Sequence, residues 1–132
     1  VNNDIYNSLP SDLRSEIVET TVVSGYGSSD SANFTSTDKL YLLSPMEVWG
    51  DWTGMYGSEV DRAKNQTRQL DYYSNLGVTY NNYNSAIKKH GKTQYFWWHR
   101  SAKYDNNIGF YGMRGNGYAY RDGGVSPAFR IG

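Results

Sequence analysis

The sequence predicts an α+β fold in which short helices pack on small antiparallel sheets joined by long loops. Three observations carry it. Apolar residues recur at helical spacing in only two short stretches, around Leu9–Val18 and Leu70–Leu76. Elsewhere, brief β-branched or aromatic runs are bounded by Gly, Asn, Ser and Pro, the pattern of short strands. The length, 132 residues, suits one domain with a modest core.

Leu9, Leu13, Ile17 and Val18 follow the start signal Ser8-Leu9-Pro10-Ser11-Asp12, which predicts an amphipathic helix over 10–18. The β-branched Thr20-Thr21-Val22-Val23 favours a strand. Residues 24–37, "SGYGSSDSANFTST", read as an exposed loop. "KLYLLS" (39–44) is a short apolar strand that runs into Ser44-Pro45-Met46-Glu47, a capping box with Pro45 at the first helical position. Glu47 there reaches back to the Ser44 amide, and this makes it a cap before it is a catalytic acid. Gly50 stops the helix.

"DWTGMYGSEVDRAKNQT" (51–67) is polar and irregular. Leu70, Tyr73 and Leu76 then predict a further helix ending at Gly77. "VTYNNYNSAIKKHGK" (78–92) reads as a long surface segment, and its Lys88–Lys92 cluster as a solvated turn. A strand follows over Tyr95–Ser101. Next comes a hairpin with arms Gly109–Met113 and Tyr118–Arg121 around a Gly-rich turn at Arg114–Gly117. "GVSPAFRI" closes the chain as a strand in which Pro127 demands an edge or a bulge.

Composition narrows the function. Thirteen basic and thirteen acidic residues cancel, so nothing marks a polyanion partner such as nucleic acid. No apolar run approaches the roughly 20 residues of a membrane-spanning helix. The absence of cysteine removes disulfides, thiolate metal sites and cysteine nucleophiles together. The sequons Asn33-Phe34-Thr35 and Asn65-Gln66-Thr67 matter only in a eukaryotic secretory setting. Because the chain opens on Val1 without a methionine, a longer parent protein or a removed leader is expected. The unusual feature is 16% aromatic residues, 13 of them tyrosine, in a chain of mean hydropathy −0.73. Tyrosine beside Ser, Gly and Asn is the chemistry of paratopes.

"DKLYLLSPMEVWG", "RQLDYY", "WWHRSA" and "GVSPAFRIG", in this order and preceded by "LPSDLRSEIV", resemble a bacterial and phage domain family of unassigned function. Its landmarks are an "LLS..E..G", a "WWLRSP" and a terminal "GVRPA" block. The family is similar to the C-type-lectin-like fold, shared with relatives of formylglycine-generating enzymes and with the variable proteins of diversity-generating retroelements. Three positions depart from the pattern: His99 replaces Leu, Ala102 replaces Pro and Ser126 replaces Arg. The first sets a polar group where the family packs an apolar one.

The resemblance implies a C-type-lectin-like domain whose face just before the last strand, here 104–122, is exposed and can be hypervariable. It also raises two chemistries that the residues oppose. Formylglycine-generating oxidases use cysteine-bound copper, and this chain has no cysteine. Calcium lectins of the fold use a "WND"-like motif, whereas Trp97-Trp98 is followed by His-Arg and Trp52 by Thr-Gly. Asp51, Glu59 and Asp61 could contribute oxygens to calcium, but such an ion needs six to eight. Of the two histidines, His90 lies in the basic cluster. His99 is expected as a strand histidine with a satisfied hydrogen bond, since neighbouring residues on a strand point to opposite faces. "GMRGNG" lacks the strand and helix context of a phosphate loop.

The expectation is therefore a non-enzymatic ligand-binding module without cofactor or metal. Its candidate contacts are Tyr104, Asn106, Asn107, Tyr111, Arg114, Asn116, Tyr118, Tyr120 and Arg121, with Phe110 and Ala119 turned inward. Tyr and Arg are enriched at binding hot spots. The expected partner is a protein or glycan on a cell surface, and the expected setting is extracellular, on a bacterial surface or phage tail. An assembly module, oligomeric through the same face, is the alternative; a divergent enzyme on the formylglycine-generating scaffold comes third.

Overall fold

A computed structural model describes residues 2–25, 33–50, 68–104, 109–112, 115–118 and 123–132. Over 102–104, 109–112 and 115–118 the description is of the backbone. The chain is a small α+β domain of short helices and small antiparallel sheets.

The N-terminal stretch forms two helices, α1 (Asn2–Ser8) and α2 (Ser11–Glu16). Proline disfavours helical backbone in the residue before it, so the chain breaks at Leu9-Pro10. The helix expected over 10–18 ends early because Ile17-Val18 leave it as β1. This strand pairs antiparallel with β11 (Arg130–Ile131), Ile17 opposite Ile131. Branched side chains prefer the strand once a partner is available.

The strand expected at Thr20–Val23 is β2 (Thr20–Gly25), paired along its length with β3 (Asn33–Asp38). Half of the expected 24–37 loop is therefore strand, and 26–32 lie outside the described residues. The alternating threonines of "NFTSTD" explain the correction. Thr37 and Thr21 sit directly opposite and share a hydroxyl hydrogen bond of 2.9 Å, a stabilising cross-strand pair.

The strand expected over 39–44 contracts to β4 (Tyr41–Leu42), paired with β10 (Pro127–Ala128). Its flanks Leu40 and Leu43 are buried all the same. Next comes α3 (Pro45–Trp49), with the expected capping box complete: Glu47 N donates to Ser44 Oγ (3.1 Å) and Ser44 N to Glu47 Oε2 (2.7 Å). The helix expected around Leu70–Leu76 is one turn, α4 (Asp71–Asn75). It closes as a Schellman motif at Gly77 (φ +67°), with Gly77 N on Ser74 O and Val78 N on Tyr73 O. The motif's hydrophobic pair, Tyr73 and Val78, belongs to the core.

Residues 78–92 are less superficial than expected. Val78 and Ala86 are buried, Asn84–Ala86 form a 3-10 turn, and Lys88–His90 is a strand, β5. It pairs with β6 (Thr93–Tyr95) around Gly91, whose φ of +61° suits the primed turns that match strand twist. A three-stranded sheet follows: β7 (Trp98–Tyr104), β8 (Gly109–Gly112) and β9 (Gly115–Tyr118). The expected hairpin exists but is tighter, since Gly112 stands opposite Gly115 and Gly115–Gly117 are strand instead of turn. The last expected strand splits at Phe129 into β10 and β11, and Pro127 lies in a two-stranded sheet, an edge position as expected.

Leu43, Val48, Trp49, Tyr73, Val78, Ala86 and Trp97 make the core cluster. Gln69 ties its two sides together, Nε2 donating to Val48 O and Val78 O, both at 2.8 Å. Gly50 sits against this amide at φ +76°, and a Cβ there would stand 2.8 Å from Gln69 Oε1. Gly50→Ala should therefore cost about 1–3 kcal/mol in a denaturant melt, from left-handed strain and displacement of Gln69.

Candidate functional site

From Trp97 to Ser101 burial alternates with the period of a strand: Trp97, His99 and Ser101 point inward, while Trp98 and Arg100 are half-buried. Trp97 is held by a hydrogen bond from Nε1 to Ala86 O (3.2 Å). His99 is 1% exposed and lies edge-on to Trp49 and Trp97, with ring centroids 5.0 and 4.7 Å away. The expected hydrogen bond is missing, because neither ring nitrogen has a partner. Trp49 and Trp97 enclose the ring, so the site offers packing in place of polar contact. Burial, reinforced by the Arg100 charge, lowers the His99 pKa to about 3. A neutral imidazole sealed from solvent cannot exchange protons with a bound substrate.

Arg100 connects four segments. Its backbone N donates to Leu43 O (3.0 Å), its Nε to Val23 O (3.2 Å) and its Nη1 to Leu42 O (3.2 Å). The same Nη1 meets Glu47 Oε2, and the two side chains are only 7% and 12% exposed. One carboxylate thus caps α3 and neutralises a buried guanidinium. The sequence did carry a signal for this pair. "LLSPMEVW" and "FWWHRSA" each hold one fully charged side chain, of opposite sign, in an apolar run, and buried charges need partners.

The expected recognition residues begin at Tyr104, at the end of the same strand. Tyr104 closes β7 opposite Gly109, and Gly109 is also opposite Tyr118, so the three positions form one cross-strand row. Tyr111 is opposite Asn116, two residues further along the hairpin. Phe110 pairs with Ala102 and Gly117. The structure thus brings Tyr104, Tyr111, Asn116 and Tyr118 into one sheet. Asn106, Asn107, Arg114, Tyr120 and Arg121 lie outside the described residues, as do Ala119, Asp51, Glu59, Asp61 and the sequon at Asn65. Among the described residues, no three His, Cys, Asp or Glu side chains converge as a metal site. None of their helices is long and apolar enough to cross a membrane.

Sequence reasoning missed a groove of about 510 Å³ between the β5–β6 hairpin and residues 124–127. Lys88–Lys92, expected as a solvated turn, is exposed, yet Lys88 Nζ stands 5.1 Å from the centre of the Trp97 ring. Nothing local in "KKHGK" signals that contact, which depends on how the hairpin folds back.

Small antiparallel sheets, short helices and a buried Arg–Glu link define a small α+β domain. The chain belongs to the family described as domain of unknown function DUF6273, whose model matches residues 1–132. No curated protein and no solved structure gives a significant match.

Proposed function

We propose that this domain has a C-type-lectin-like fold and acts as a non-enzymatic ligand-binding module. It presents a Tyr/Asn-rich face from 104–122 to a protein or glycan on a cell surface, in the setting of a bacterial surface or phage tail. The observation that carries the proposal is the register of the sheet that β7 enters. β7 runs on to Tyr104 and joins β8 and β9, whose positions are Gly, Phe, Tyr and Asn, with Tyr104, Gly109 and Tyr118 in one row. Rigid rings beside small polar residues give contact area at low entropic cost. Burial of His99 between two tryptophans supports recognition over catalysis, because "WWHRS" is occupied with packing.

Binding to a protein and glycan array tests this. Tyr118→Ala combined with Tyr120→Ala should abolish the signal of the parent chain. Retained binding by the double variant, or binding lost only together with a concentration-independent oligomer in light scattering, points to an assembly surface instead.

A further inference from the structure

We infer that a second recognition site, separate from 104–122, lies in the groove between the β5–β6 hairpin and residues 124–127, and that it takes an extended acidic peptide segment with an aromatic or apolar anchor residue. One wall is basic. Register sets Lys88 beside Tyr95, whose ring meets that of His90 at 6.2 Å between centroids. Lys88 Nζ rests over the Trp97 ring, a cation–π contact that holds the ammonium at the groove without neutralising it. Among the described residues, neither Lys88 nor Lys89 has an acidic partner, and no Asp or Glu is among the groove's lining residues. In a chain of zero net charge this positive patch is local and complements carboxylates.

The opposite wall is fixed to the scaffold. Gly124 N donates to Phe96 O (2.7 Å) and Trp98 N to Gly124 O (3.0 Å), so the groove exists before a ligand arrives. Tyr95 and Val125 stay 42% and 53% exposed there, surface that an apolar anchor would cover. The volume falls within the range of ligand pockets. A sugar fits less well, because its hydroxyls are best met by amide or carboxylate acceptors, and the described lining residues include no Asn, Asp, Gln or Glu. The inference does not depend on the tyrosine face.

The test is an amide NMR titration of the full chain with an end-blocked peptide of sequence Asp-Glu-Phe-Asp-Glu. Lys-Lys-Phe-Lys-Lys and a galacturonate oligomer serve as comparisons. The acidic peptide should shift amides of 88–97 and 124–126, with binding that weakens as salt rises. Lys88→Glu with Lys89→Glu should weaken it about tenfold or more at unchanged melting temperature. Tyr118→Ala should leave it intact, which separates this site from the 104–122 face. Shifts produced equally by the basic peptide, preference for the galacturonate, or indifference to the charge reversal would overturn the assignment.

Discussion

Arg100→Ala lowers the melting temperature by on the order of 10 °C, a loss of about 3–5 kcal/mol. The size follows from what is left behind. Glu47 keeps its hydrogen bond to the Ser44 amide but loses its counter-charge in a site where the carboxylate side chain is 12% exposed. Val23 O and Leu42 O lose their donors in the same step. Glu47→Ala should cost a similar amount, since it removes both the cap and the partner of a guanidinium 7% exposed. In the double variant the losses should fall short of their sum by about 0.5–3 kcal/mol, because each single change already breaks the shared pair. Arg100→Lys should recover only a fraction, as an ammonium cannot reproduce the planar fork that meets three acceptors from different segments. Urea melts of the four proteins check all of this, and full additivity would show that the pair is not coupled.

His99→Leu is expected to act in the opposite direction. Two unpartnered ring nitrogens in the core leave polar groups desolvated without compensation, so an apolar side chain of similar size should add about 1–3 kcal/mol at neutral pH. The pH dependence is larger. His99 has a folded pKa of about 3, against roughly 6.5 in the unfolded chain. Between these values the unfolded state holds a proton that the folded state excludes. Stability from this site is therefore complete above about pH 6.5 and drains away as pH falls toward 3. At pH 4 the parent should have lost about 3 kcal/mol through His99 alone, a loss that His99→Leu escapes. Melting curves of both proteins from pH 7 to pH 4 isolate the effect, since all carboxylates are common to the pair. Parallel curves would mean that the imidazole is protonated in the folded chain.

What the sequence revealed and what it hid divide along chemical lines. The Ser44–Glu47 capping box and the Gly77 stop were legible because both rest on neighbours within a few residues. Helix α1 was not, since "NNDIYNS" has no apolar periodicity. Strands β1 and β3 escaped notice because each is defined by a partner distant in sequence, Ile131 for Ile17 and Thr21 for Thr37. His99 was correctly placed on a strand with neighbours on the other face, but its lack of a hydrogen bond depends on Trp49 arriving from α3. The Glu47–Arg100 pair spans 53 residues, and only its two lone charges hinted at it. At the proposed recognition face, composition made candidates of Tyr104, Tyr111, Asn116 and Tyr118, while their shared sheet and the row that joins Tyr104 to Tyr118 needed the register.

We propose that residues 97–101 hold the fold while Tyr104, Tyr111 and Tyr118 serve a partner. The melting temperature of Tyr104→Ser, Tyr111→Ser and Tyr118→Ser combined in one chain tests it most directly. Surface rings cost little when removed, so the triple variant should melt within about 5 °C of the parent. A fall as large as that of Arg100→Ala would make these tyrosines part of the core and contradict the account.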